Sequence, residues 1–317
     1  MSKHNTLSAG IDTGKFKLDV ALDGRRERLQ VNNSDDGHVA LCVWLRRQGV
    51  ERVGIEASGG YEQAVVRTLR RNEFVVIVFQ PAQVRAYAHY QLQRAKNDKL
   101  DAQLIAACTA DAKKIHAPPD PRLAPFAALL TVIEQITEDI ARWKTYREMA
   151  QDEDIRRFWS EQIAERKRLQ GQRLKQLVAA IRKHSDLARR LELIVSIQGI
   201  GLRTAVAILV RMPEIGRVTR EQAAAIVGVA PYDEDSGNHA GVRRIEGGRE
   251  RLRKALYAAA LPAAFKWNPR LVAIYKRLIA AGKPHKLALV ACVRKLIIFA
   301  NTVVARGTPW VPRDAAT

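Results

Sequence analysis

Four acidic residues have the types and spacing that phosphodiester chemistry needs: Asp12 in AGIDTGK, Glu56 in VGIEASGGYE, and Asp98 and Asp101 in RAKNDKLDA. The first two end short apolar runs, Ala9-Gly10-Ile11 and Val53-Gly54-Ile55. Each run reads as a buried strand that delivers a carboxylate to one end of a sheet. Asp98 and Asp101 are three residues apart, so a helix places both on one face. Carboxylates converging from two strands and a helix repel one another unless a divalent cation holds them. All-oxygen ligation suits Mg²⁺ or Mn²⁺, and a pair of such ions can drive phosphodiester cleavage.

The surrounding pattern predicts the elements that position these acids. Residues 8–22 read as strand, turn, strand, and a helix is expected around Val39–Gln48. Strand Val53–Glu56, a helix to about Arg71, a β-branched strand Val75–Phe79 and a helical stretch over Ala95–Lys114 follow. Strands alternating with helices predict an α/β layer. The run from His116 to Pro121 holds three prolines in six residues and marks a boundary.

Beyond it, Phe126, Leu129, Ile133, Ile136, Ile140 and Trp143 advance by three and four residues, an a/d heptad seam. A second long charged helix, about 153–183, is expected to fold back on it with a less regular seam. Such a seam serves a coiled coil between subunits or a helical hairpin within one chain, and the pattern leaves both open.

The last third reads as all-α with two features of note. Ser185 is expected to cap a helix, and Gly199-Ile200-Gly201 turns into a further helix that Pro213 ends. Helix, GIG and helix in succession is the sequence form of a helix-hairpin-helix, in which glycine amides approach a phosphate closely. The polar, glycine-rich loop Gly228–Gly248 carries Ser236 between Asp235 and Gly237. Arg243, Arg244, Arg249, Arg251, Arg253 and Lys254 follow, and phosphate binding is the favoured reading of them.

Bulk composition agrees. The 317 residues carry 53 Lys and Arg against 33 Asp and Glu, a net charge of +20, which favours a polyanionic partner. Residues 191–317 hold 20 basic and 9 acidic side chains, whereas residues 1–121 hold 18 and 14, so the surplus sits in the last third. A hydrophobic fraction of 47% excludes a disordered chain. Cys42, Cys108 and Cys292 are scattered, with no metal-binding or disulfide spacing, which points to a reducing cytoplasm. The seven histidines lack zinc-ligand spacing. No stretch reads as a membrane span of roughly 18 apolar residues.

Taken in order, GIDTGK, GIEASGGYE, AKNDKLDA, SIQGIG, GVAPYDEDSG and GGRERLRKALYAAA resemble the DEDD transposases of insertion sequences, the "one-ten" family. The DSG loop is similar to that of its "eleven-eleven" subgroup. The resemblance spans nearly the whole chain. It implies an N-terminal RuvC-like domain of ribonuclease H-type fold over residues 1–117 and a helical coiled-coil segment over 118–190. A helical C-terminal transposase domain over 191–317 completes it.

Carried over by motif, Asp12, Glu56, Asp98 and Asp101 match the four acids that hold Mg²⁺ (or Mn²⁺), and Ser236 matches the serine that attacks DNA. Gln198 stands where a proline often precedes the GIG turn. The resemblance also implies a covalent phosphoserine intermediate, DNA as donor and target, and a structured guide RNA; a homo-oligomer, dimer or tetramer, is the expectation that goes with the a/d seam. Three rivals stand beside it. One is a hydrolytic junction-resolvase-like nuclease with water as nucleophile. Another is an actin-like ATPase or sugar kinase, disfavoured because no second glycine-rich nucleotide loop follows Gly60 within the α/β part. The last is a nucleic-acid-binding protein whose acids no longer work.

Overall fold

The computed structural model describes residues 7–92, 98–113, 120–232 and 243–311. The chain divides into two compact units, Met1–Ala117 and Pro118–Thr317.

In the first unit, β1 (Leu7–Thr13) and β2 (Lys17–Leu22) form an antiparallel hairpin, and β3 (Arg28–Asn32) adds antiparallel to β2. After α1 (Asp35–Arg47), β4 (Val50–Glu56) pairs in parallel with β1. After α2 (Gln63–Arg71), β5 (Val75–Phe79) pairs in parallel with β4, giving the order β3-β2-β1-β4-β5. Then come α3 (Pro81–Tyr90) and α4 (Asp98–Asp111). Strand β3 falls outside the sequence expectation; only Leu29 and Val31, alternating with polar residues, mark it.

Side chains alternate across a strand, so β1 has two separate duties. Ala9 and Ile11 join Val20, Val53, Ile55, Leu41 and Leu69 in a core against α1 and α2. Gly10 faces the other way, and α4 lies there across β1, β2 and β4. A methyl group built on Gly10 would collide with the backbone of Ala102, Ile105 and Ala106. One built on Gly54, its register partner on β4, would collide with the Thr109 side chain. The paired glycines set α4 directly on the sheet.

The second unit is helical. Helices α5 (Leu123–Met149) and α6 (Glu153–Arg182) form a long hairpin; Asp152 caps α6, its carboxylate accepting from the amides of Asp154 and Ile155. The α5 seam is answered within the chain. Ile136, Ile140 and Trp143 pack on Ile163 and Leu169 of α6. Phe126, Leu130 and Ile133 enter the large core with Leu177 and Ile181. Helices α7 (Ser185–Val195), α8 (Leu202–Arg211) and α9 (Arg220–Val227) continue that core. His184 occupies the cap position of α7, so Ser185 is already helical and is not the expected cap.

Short strands β6 (Pro231–Tyr232) and β7 (Arg244–Ile245) pair antiparallel before α10 (Glu250–Pro262). Pro262 lacks an amide to continue the ladder, and the chain passes into a wide π-helical turn, Ala263–Trp267, before α11 (Pro269–Ala280). The last helix, α12 (His285–Arg306), corrects an expectation. It is long and apolar enough by length and composition to cross a membrane, with mean hydropathy 2.0 over its best window. More than half of that window is buried, with Leu289, Val293, Leu296, Ile297 and Ala300 inside the core, as in the central helix of a helical domain.

Candidate active site and nucleic-acid interface

The glycine pair determines where the acids fall. Asp12 lies two residues beyond Gly10 and Glu56 two beyond Gly54, so both leave the sheet on the face that α4 covers. They sit one step past the Ile11–Ile55 register pair, side by side on adjacent parallel strands. Asp101 adjoins Ala102, the helical residue whose carbonyl rests over Gly10, and is half-buried like Asp12 and Glu56. Asp98 opens α4, one turn before Asp101. Among the described residues no set of three His, Cys, Asp or Glu side chains stands ready to hold an ion, and the Asp98 side chain is outside that set. The donor chemistry of the four acids nonetheless fits a hard divalent ion and little else.

Sequence reasoning missed a fifth acid. Asp19 is the cross-strand partner of Asp12, which places the two carboxylates on the same face. It is buried, takes Gln30 Nε2 at 2.6 Å on one oxygen and Lys17 Nζ at 3.0 Å on the other. Counting outward from the Gly14 turn, where the amide donates to the Lys17 carbonyl at 2.9 Å, would have placed Asp19 opposite Asp12.

Two networks brace the loops at this end of the sheet. After Glu56, the Ser58-Gly59-Gly60 turn wraps the Glu62 carboxylate, which accepts from the amides of Ser58 at 3.1 Å and Gly60 at 2.8 Å and from the Ser58 hydroxyl at 3.1 Å. Burial works against that charge, but these donors prevail and hold Glu62 below the usual carboxylate range. On the other side, Asn33 donates to the carbonyls of Gly14 at 3.0 Å and Tyr61 at 3.2 Å, and its own carbonyl meets His38 Nε2 at 2.8 Å. Burial pushes the His38 pKa down, with Asp35 opposing the shift and Arg67 adding to it.

In the second unit, Gly199 and Gly201 are glycines for different reasons. Gly199 has φ 94°, and a side chain there would strike Ala263 of the π turn. Gly201 precedes α8 with φ −77°, and a methyl group added to it would meet nothing within 4 Å. Among the described residues, neither conformation nor packing calls for glycine at that position.

Of the expected phosphate binders, several are engaged inside the chain. Arg249 is clamped on Glu214 at 2.6 and 2.7 Å and also donates to the Arg211 carbonyl at 2.8 Å. Arg253 donates to the carbonyls of Gly247 at 2.6 Å and Val227 at 3.2 Å, closing the base of the loop. Arg251 reaches Glu134 at 2.8 Å and Lys254 reaches Glu250 at 2.9 Å, both at the surface. Arg243 and Arg244 are exposed, Arg244 on β7, which pairs with β6. Ser236, within 233–242, lies outside the described residues.

Two family models match the chain. One describes the DEDD transposase of IS110 and covers residues 9–150; the other, "Transposase IS116/IS110/IS902 family", covers residues 191–276. The chain belongs to the IS110 family of transposases. Pilin gene-inverting proteins of Moraxella bovis and Moraxella lacunata are each 25% identical to this family member over 320 residues, spanning 96% of this chain and 97% of theirs. Among solved structures, Thermus thermophilus RuvC in complex with a Holliday junction substrate overlaps 32% of this chain and 92% of its own, with TM-score 0.27 and 18% identity. A second Thermus thermophilus RuvC structure overlaps 36% and 84%, with TM-score 0.24 and 20% identity. This IS110 transposase is an enzyme of DNA transposition and recombination, and DNA is its partner.

Proposed function

We propose that this transposase cuts and rejoins DNA through a RuvC-like first unit of ribonuclease H type and a serine nucleophile in the second. The placement of Asp12 and Glu56 on adjacent strands, under a helix that carries Asp98 and Asp101, is the observation that carries the proposal. These four residues would hold Mg²⁺ or Mn²⁺. Such an ion, when bound, lowers the pKa of a hydroxyl and offsets charge on phosphoryl oxygens. Asp19, tied to Lys17 and Gln30, lies opposite Asp12 on the neighbouring strand and adds a carboxylate to the same face.

The Ser236 oxygen bonds to phosphorus as one P–O bond of the strand breaks, and the departing sugar oxygen takes up the proton that serine gives up. The phosphoserine ester keeps the strand attached to the protein. A sugar hydroxyl of another strand then displaces the serine and restores a phosphodiester. Arg249 and Arg253 hold the base of the serine loop, while Arg243 and Arg244, with Arg251 and Lys254 at the surface, meet phosphate. Gly201, whose missing side chain has no counterpart in packing among the described residues, gives phosphate room at the α8 start. The basic surface also suits a structured guide RNA, and the site of action is the cytoplasm.

Trapping a covalent protein–DNA adduct that disappears in Ser236→Ala is the expected result; full cleavage by that variant would mean that water is the nucleophile. Pairing of chains is proposed at the hairpin tip, where Phe158 is 52% and Met149 72% exposed. Phe158→Glu should then lower the mass seen by light scattering, and an unchanged mass removes the tip as the interface.

A further inference from the structure

An exposed cluster of rings in the second unit belongs neither to the acids nor to the serine loop. The π turn after Pro262 presents Phe265, Lys266 and Trp267 outward in succession, with Phe265 52% and Trp267 58% exposed. Tyr275 of α11 stands edge-on to the Phe265 ring, 5.0 Å between centroids at 75°. His285, the first residue of α12, lies parallel to Phe265 within 10°, and its Nδ1 shares a hydrogen bond with the Tyr275 hydroxyl at 2.6 Å. Lys266 Nζ is 5.3 Å from the centre of the Trp267 ring. Burial of large rings is strongly favourable, so two that stay open within one turn mark a surface built for a partner.

The charge around the rings identifies that partner. From Arg251 to Arg313 the sequence contains 13 Lys and Arg and no Asp or Glu. Lys266 and Lys286 flank the rings, both exposed. Flat apolar faces among cations with no acid in the segment match a chain of π-faced bases joined by phosphates. A duplex hides its base faces in the stack; an unpaired strand offers them. The ring cluster is also tied to the GIG turn. Gly199 packs on Ala263 at the start of the π turn, and Asn268, buried at its end, donates to the Gln198 carbonyl at 2.9 Å.

We propose that Phe265, Trp267 and the Tyr275–His285 pair form a stacking platform for unpaired bases of single-stranded DNA, with Lys266 and Lys286 on its phosphates. Strand exchange by a DNA transposase exposes such unpaired segments at each cut. The inference rests on DNA being the partner of this enzyme, and not on the four acids or Ser236. Cleavage and binding therefore fail independently.

The test uses the full chain without added metal and measures fluorescence anisotropy with a labelled 15-nucleotide oligo-dT, a duplex of the same length and an oligo-rU. Phe265→Ala and Trp267→Ala should each weaken oligo-dT binding roughly five- to hundred-fold, the range expected for losing one stacked base. Duplex binding should change less than about twofold, and Trp267→Phe should retain most of the oligo-dT affinity. Both positions are exposed, and unchanged circular-dichroism melting verifies that the variants fold. Wild-type oligo-dT affinity in both alanine variants, or an equal loss on duplex, overturns the proposal. A loss confined to oligo-rU assigns the surface to RNA and overturns it as well.

Discussion

In the first unit the chemistry-bearing side chains are set by strand register. Asp12, Asp19 and Glu56 emerge from three adjacent strands on one face, and no rotamer choice can move them far from one another. In the second unit the residues expected to meet nucleic acid are presented by turns and two short strands: Gly199 and Gly201, the β6–β7 pair, and the π turn with its rings. Charge is uneven as well. Asp12, Asp19 and Glu56 share one face of the first unit's sheet, whereas the stretch from Arg251 to Arg313 has no Asp or Glu. The contrast teaches that, under the proposed function, fixed strand register serves the reacting phosphorus and exposed turns serve a long, variable polyanion. Variants in the two units should therefore fail in different assays.

The largest separation is expected at the acids. Asp12→Asn or Glu56→Gln should reduce strand cleavage by at least about a hundred-fold, the scale of losing a preorganised electrostatic contact at the transition state. Binding of DNA, read by anisotropy, should stay within about twofold of wild type. Normal recombination by either variant removes the metal-site assignment. Nucleic-acid binding lost in parallel with cleavage would erase the division between the units.

Packing beneath the acids should give the next largest effect. Gly10→Val or Gly54→Val forces a branched side chain between the sheet and α4, where even one methyl group meets Ala102, Ala106 or Thr109. A cost of about 3 kcal/mol is expected, read as lost stability to urea, because neither backbone can yield without lifting the helix. Gly201→Ala should leave stability unchanged, since its surroundings are open among the described residues, and should weaken binding of phosphate-bearing ligands instead. Equal melting of Gly10→Val and wild type would show that α4 does not rest on the sheet in solution.

These glycines also show what the sequence made legible and what it did not. The apolar runs ending in Asp12 and Glu56 were readable because a strand buried on both faces leaves a local mark, and so were Asp98 and Asp101 at helical spacing. The reason for glycine inside those runs was not readable, because it lies in a helix some fifty to ninety residues further on. Asp19 escaped for a related reason, its meaning residing in hairpin register. Arg249 read as a phosphate ligand from its neighbours, yet its partner Glu214 is 35 positions away, and an ion pair at that separation leaves no local trace. The α5 seam was visible, but its partner was not; α6 and the helical core supply it within the chain. Helix α12 escaped notice because two charged residues break its apolar run without preventing burial of one side.

The smallest expected effect concerns acid sensitivity, and it belongs to the first unit. His38 is buried, with Nε2 on the Asn33 carbonyl and no hydrogen-bond partner for Nδ1 among the described residues, which fits a neutral ring with its proton on Nε2. Burial lowers its pKa below the ordinary value of 6.5. The folded state therefore binds fewer protons than the unfolded chain below that pH, and the stabilisation is full above it and fades as pH falls through the folded value. Protonation removes the lone pair at Nδ1 and places a charge beside Asn33, which holds the Gly14 and Tyr61 carbonyls near the acids. Urea stability should decline modestly from pH 7 to pH 5, by about 1 kcal/mol or less. His38→Gln should flatten that decline, because a neutral amide can still reach Asn33 and has no charge to gain. A decline of the same slope in His38→Gln would transfer the effect to other groups and leave the Asn33 bridge indifferent to pH.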